Sequence, residues 1–190
     1  MRTLLIVAMS ALVWASPVLA QDRIELYADA NRASCEIAEP TSPPIVQVHV
    51  FVTGTMAVNG ARFTAPKPDC WVGATWLGDA LAPGVGGLGN SQSDWSLAWY
   101  LGMGGCNAGN TPPTRIAAIS YLISGQALPC CTVTASPSIQ FVFTDCNFAE
   151  HELGETKPLV INPDASCGCH SSITTAVEPT SWGRVKALYR

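Results

Sequence analysis

Cys167-Gly168-Cys169-His170 gathers two thiols and an imidazole within four residues. Thiolate and imidazole are ligands for zinc or copper(I), and paired thiols are the parts of a redox site. The spacing argues against both. Structural zinc sites and the familiar redox motif place at least two residues between their cysteines, and here only Gly168 intervenes. His49 and His151, the other histidines, fall in no recognisable metal spacing. Along an extended strand, residues i and i+2 stand about 6.6 Å apart on one face. That is near the upper limit for bridged Cα atoms. The motif is therefore expected to supply two separate disulfides.

The chain holds eight cysteines: Cys35, Cys70, Cys106, Cys130, Cys131, Cys146, Cys167 and Cys169. An even count in an exported chain reads as a disulfide framework. Cys130 and Cys131 are adjacent, so in a strand they point to opposite faces and bond to different parts of the fold. One of them is placed to reach Cys106 across the "NAGNTPPT" loop. Cys35 is expected to tie the first strand to Cys167 or Cys169 in the last.

Three further groups could do chemistry. "TDCNFAEHELGE" collects Asp145, Asn147, Glu150, Glu152 and Glu155, oxygen ligands suited to Ca²⁺. Asp145, Glu150 and Glu152 are the ligand candidates, although neither EF-hand spacing nor HExxH is present, and a solvated loop is the plainer reading. Trp71, Trp76, Trp95 and Trp99 offer a sugar-stacking platform, set against their plainer use as core. No G-x-S-x-G elbow occurs, and no pair of carboxylates can be singled out for glycoside hydrolysis. No enzyme activity and no cofactor are expected.

The elements that position these residues are short strands between Pro/Gly turns. In "IVQVHVFVT" (45–53), Val46, Val48, Val50 and Val52 share one face, with Gln47 and His49 on the other. "RIELYAD" (23–29), "ARFTAP" (61–66), "CWVGATWLG" (70–78), "DWSLAWYLG" (94–102), "TRIAAISYLISG" (114–125), "SIQFVFTD" (138–145) and "KPLVINP" (157–163) read as further strands. "APGVGGLGNSQS" (82–93) reads as a Gly-rich loop. The fold class is all-β: a two-sheet antiparallel sandwich, Ig-like or cohesin-like, of about eight or nine strands, stapled by disulfides.

The ends carry different signals. Arg2, the apolar run 3–15 and the small residue before Gln21 make residues 1–20 a secretory signal peptide. The run is too short to span a bilayer of about 30 Å. Residues 21–169 form the sandwich domain and 170–179 a polar linker. Residues 180–190 are a short basic tail, with Trp182, Val185, Leu188 and Tyr189 on one side of a helix. Such a helix is marginal in water, so the tail is expected to order on a partner. Without Arg2, nine basic side chains (10 − 1) face fourteen acidic ones. That balance excludes a nucleic-acid binder, which needs a basic footprint.

"IELYADANRASC", "VHVFVTG…VNGARFTAP" followed by "DC", and the closing "VEPTSWGRVKALYR" resemble a group of exported bacterial single-domain β-sandwich proteins that end in W-G-x-x-K-x-x-Y-R. The strand-turn-strand portion is also similar to cohesin-type sandwiches. The resemblance implies no activity, and no catalytic residue is carried over from it. The expected function is an exported, non-catalytic surface or interaction module, secreted, periplasmic or at the cell surface. Trp182, Arg184, Lys186 and Tyr189 would meet a protein partner or sorting machinery. The alternative is a soluble glycan- or calcium-binding protein.

Overall fold

A computed structural model describes residues 23–39, 44–54, 58–99, 113–136, 142–152 and 156–169. The expected signal peptide, linker and tail, with Trp182, Arg184, Lys186 and Tyr189, lie outside the described residues, as does Cys106.

The described residues form twelve strands: β1 (Arg23–Tyr27), β2 (Glu36–Ile37), β3 (Ile45–Thr53), β4 (Val58–Phe63), β5 (Ala74–Leu81), β6 (Val85–Gly89), β7 (Trp95–Trp99), β8 (Thr114–Ile123), β9 (Cys131–Val133), β10 (Val142–Asp145), β11 (Glu150–Glu152) and β12 (Leu159–Ile161). They build a four-stranded sheet β1-β3-β8-β5, a five-stranded sheet β11-β10-β4-β7-β6 and a small sheet β2-β12-β9. Both large sheets are antiparallel. The small sheet departs from the all-antiparallel expectation, because β12 runs parallel to β2. Among the described residues no helix is long and apolar enough to cross a membrane.

One core joins all three sheets. Val46, Val48, Val50 and Val52 face inward from β3, as their alternation predicts. They meet Phe63, Trp95, Leu97 and Phe143 from the five-stranded sheet, and Ile37, Val133, Leu159 and Ile161 from the small one. Central strand β8 adds Ile116, Ile119 and Tyr121.

Three expectations are corrected. Residues 82–93 are not simply a loop, since Val85–Gly89 forms strand β6, paired in continuous register with β7. Its glycines hide the strand; a Cβ at Gly87 would lie 2.6 Å from Leu97 Cδ2, so the leucine would have to shift to admit one. Strand β5 starts only at Ala74, because residues 70–73 turn, with Trp71 N donating to Pro68 O and Ala74 N to Trp71 O. Finally, β2, β9 and β11 raise the strand number above eight or nine. Each has three residues or fewer, too short for a periodic signal.

Candidate interaction surface

The sulfur framework answers the question raised by the CGCH motif. Cys35 bonds Cys169, Cys70 bonds Cys131, and Cys130 bonds Cys167. The two cysteines of the motif thus serve different bridges, and Cys35 reaches Cys169 as expected. Adjacent Cys130 and Cys131 also part company, but neither joins Cys106. That expectation is corrected: Cys131 is taken by Cys70 at the 70–73 turn, and Cys130 by Cys167 at the end of the 164–167 turn. Cys146 is also disulfide-bonded. Asp164 and the sulfurs of Cys130 and Cys167 lie within 4.8 Å of one another. Those sulfurs are spent on each other, so they offer no thiolate to a metal.

The tryptophans do not make a platform. Trp71 is 0% and Trp95 2% exposed, so neither presents a face to a sugar. Trp71 packs on Tyr121 and Trp95 on Phe63. Trp99 is half-buried and donates Nε1–H to Val58 O. Trp76 is exposed at the edge of the other sheet, tethered to Asp79 by its Nε1–H. Trp76 lies on β5, Trp95 and Trp99 on β7, and Trp71 on the 70–73 turn, and packing against the core consumes the largest apolar surfaces.

Asp145 is engaged locally, with the backbone of its own turn and with His151. Its Oδ1 accepts the N–H groups of Asn147 and Ala149, while Oδ2 lies 2.9 Å from His151 Nε2. The His151 bond, then the amides, hold its carboxyl below the usual carboxylate range. It shapes the β10–β11 turn. Glu150 is exposed on β11. Glu152 shares that strand.

The surface with the most organised chemistry is the outer face of the four-stranded sheet. Opposed residues of an antiparallel pair share a face, so the registers define its rows. Tyr27, His49, Ala118 and Ala80 form one row. Gln47, Ser120 and Gly78 form a second, and Ile45, Leu122 and Thr75 a third. Glu25 sits beside Phe51 and Arg115.

The β1 side of this face is roofed. The chain leaves β1 through a turn built by Asp29, whose carboxylate accepts the N–H groups of Asn31, Ala33 and Ser34. Arg32 adopts φ 62° there, uncommon for a non-glycine residue. That conformation returns its guanidinium over the sheet, 5.1 Å from the Tyr27 centroid and 5.7 Å from that of Phe51. Tyr27 and Phe51 meet edge to face at 5.6 Å, beside the Cys35–Cys169 bridge. Glu25, 1% exposed, accepts from Arg23 Nε, Arg32 Nη2 and Tyr27 Oη. Lys157 Nζ donates to the same Tyr27 oxygen. A carboxylate under such cover is tolerated because it is paired and hydrogen-bonded.

Burial alone would raise the Glu25 carboxyl. The hydrogen bonds from Tyr27 and Arg32, with the charges of Arg23 and Arg32, outweigh it and hold the group below its ordinary 4.5. The unfolded chain therefore takes up this proton first. The stability contributed by Glu25 is full above pH 4.5 and is lost as pH falls through the lower folded value. Glu25→Gln should be less stable than the native chain at pH 7, with the gap narrowing at pH 3. Urea midpoints at the two pH values check this; a constant gap would show that Glu25 carries no acid sensitivity. His49, buried in the next row, is pushed down by that burial and by Arg115, against a smaller opposing pull from Asp29.

Among the described residues, no turn roofs the β8–β5 side of the face. Ala80, Thr75 and Gln47 are exposed, Ser120 is half-buried, and Ile45 and Leu122 stand 52% and 38% exposed at one end. Its centre carries no charge. The strip carries small side chains at its centre and apolar ones at one end, which leaves room for another element laid across it. The Glu25 cluster was not foreseen from the sequence. Alternation marks Glu25 as pointing away from the Ile24/Leu26 core, but nothing local announces a roof contributed by Arg32 seven residues later.

No family model matches the sequence, and no curated protein does. Solved structures do resemble it. A non-cellulosomal cohesin from the hyperthermophilic archaeon Archaeoglobus fulgidus aligns with a TM-score of 0.50 at 8% identity, over 77% of this chain and 94% of that one. The sixth cohesin of scaffoldin B from Acetivibrio cellulolyticus, solved with a Cel5 dockerin mutant, aligns at 0.49 with 12% identity, over 77% and 99% of the two chains. A type III cohesin from the cell-surface scaffoldin ScaE of Ruminococcus flavefaciens aligns at 0.47 with 8% identity, over 77% and 89%. The class defined by this architecture is the cohesin-like all-β sandwich. At these identities the likeness is one of fold.

Proposed function

We propose that this chain is an exported, non-catalytic interaction module that binds a partner protein on the β8–β5 half of its four-stranded sheet. The observation that carries the reading is the uncharged strip Ala80–Ala118–Gln47–Ser120, ending in exposed Ile45 and Leu122. Exposed apolar residues grouped on one face mark interaction sites. The disulfides support an oxidising compartment outside the cytoplasm. The expected division into signal peptide, domain, linker and tail belongs to the same reading. In it, Trp182, Arg184, Lys186 and Tyr189 serve sorting or docking, an aromatic and cationic set of the kind that dominates binding energy.

A photocrosslinking residue at position 120, and another at exposed Thr134 as control, test the surface in the producing cells. One protein should be captured through position 120 and not through 134, and Ser120→Arg should weaken its binding at least about tenfold. Equal labelling from both positions overturns the assignment. In the same cells, a chain ending at residue 179 should keep its melting temperature and lose its normal location; unchanged location removes the sorting role.

A further inference from the structure

Sheet edges are liabilities that proteins guard with charge, proline, bulges, brevity or cover. Four of the edges in this fold are guarded. Alongside β1, Leu26 N donates to Lys157 O and Lys157 N to Ile24 O, each at 3.0 Å, so that edge is covered. Strand β5 is broken by a bulge between Trp76 and Gly78. Strand β11 has three residues and reads Glu-His-Glu. In the small sheet, β2 has two residues.

Strand β6 has none of these devices. Its five residues, Val-Gly-Gly-Leu-Gly, contain no charge and no proline, and pair with β7 without a register shift. Among the described residues nothing pairs with its other side. Leu88 is 79% exposed there.

We propose that β6 is a self-association edge, at which two copies of this chain pair antiparallel about a two-fold axis through Gly87. The two five-stranded sheets then become one continuous sheet. This register is self-complementary. Gly86 faces Leu88 of the second copy on either side of Gly87, while Gly89, at φ 80°, already turns toward β7. Gly86 and Leu88 stand on the outer face with Ala98 and Ser96, their partners on β7. Each leucine therefore covers the space above the other copy's glycine. This mutual fit favours a second copy over an unrelated strand, since the same patch must match itself in a two-fold contact. Charge agrees: the protein is net −4, so two copies repel over much of their surface, but this edge is uncharged. In the row of Leu88 and Ser96, Arg62 is neutralised by Asp94, with Nη2 2.6 Å from Oδ2.

Sedimentation velocity on the full disulfide-bonded chain, from about 1 to 200 µM, tests the pairing. Wild type should shift from monomer to dimer within that range, and the β6 amides should exchange more slowly at the upper end. L88K and L88E should each raise the dissociation constant at least about tenfold without lowering the melting temperature, because position 88 lies in solvent in the monomer. The two signs separate the edge from bulk charge: if only L88E dissociates, general repulsion is the cause and the proposal fails. A wild type that stays monomeric at the highest concentration also overturns it, as does a dimer that survives both substitutions or leaves β6 exchange unchanged. The β8–β5 strip enters none of these outcomes.

Discussion

Trp71→Ala should lower the stability of the sandwich by about 5 kcal/mol, a fall in melting temperature of roughly 10–20 °C for a domain of this size. Trp71 is wholly buried, its ring 4.6 Å from that of Tyr121. Truncating a buried tryptophan to alanine costs about 3–5 kcal/mol in lost transfer energy and cavity. A hydrogen bond is lost as well. Trp71 Nε1 donates to Glu39 Oε1 at 2.8 Å, while Glu39 Oε2 accepts Ala127 N and Asn162 Nδ2. Asn162 Oδ1 in turn accepts Glu39 N. The carboxylate pins three chain segments, and orphaning one of its oxygens adds about 1 kcal/mol, since Glu39 is only half-buried. Trp71→Phe keeps most of the ring and should cost about 1–2 kcal/mol. Urea midpoints of both variants decide the matter. Equal losses would mean that the hydrogen bond, and not the volume, dominates.

Trp71 also shows where sequence reasoning stops. Its use as core was the plainer reading, but residues 70–78 read as one strand, and the turn at 70–73 that carries Trp71 gave no signal of its own. Its burial is set by Glu39, Ala127 and Asn162, all at least thirty residues away in sequence. Strand β3 lies at the other extreme, because its alternating valines state their own orientation. Charge misleads in a different way. Glu25 alternates correctly, outside the main core, yet ends 1% exposed because Arg32 adopts a positive φ and closes over it. Glycine misleads at β6, since low strand propensity masks a strand whose Gly87 packs closely on Leu97. The strip on the four-stranded sheet was invisible for a related reason. Ala80 and Ser120 carry no pattern of their own, and only the registers set them side by side. The cysteines fall between these cases. Geometry along a strand separated Cys167 from Cys169 and Cys130 from Cys131, but which loops meet is a property of the whole fold.

Removing the Cys35–Cys169 bridge by Cys35→Ala with Cys169→Ala should cost about 4 kcal/mol, lowering the melting temperature by roughly 8–16 °C. The two cysteines are 134 residues apart, and a lone loop of that length would imply about 5 kcal/mol. The other bridges shorten the loop. From Cys35 the chain runs 35 residues (70 − 35) to Cys70, crosses to Cys131, steps to Cys130, crosses to Cys167 and reaches Cys169 two residues on. The loop that this last bridge closes in the unfolded chain is thus about 40 residues, and the expected gain falls accordingly. The adjacency of Cys130 and Cys131 and the close spacing of Cys167 and Cys169 make the three bridges one relay. Removing Cys70–Cys131 as well should therefore cost less than the sum of the separate losses predicted from their full sequence separations of 134 and 61. The native bridge also seals the roof over Tyr27 and Phe51. The double alanine variant should accordingly exchange the amides of 28–35 faster than those of β3, even under conditions where it remains folded. Thermal melting of the variant with its other bridges formed gives the first number, and amide exchange gives the second. A loss below about 1 kcal/mol would mean that the unfolded chain is already held compact without Cys35–Cys169.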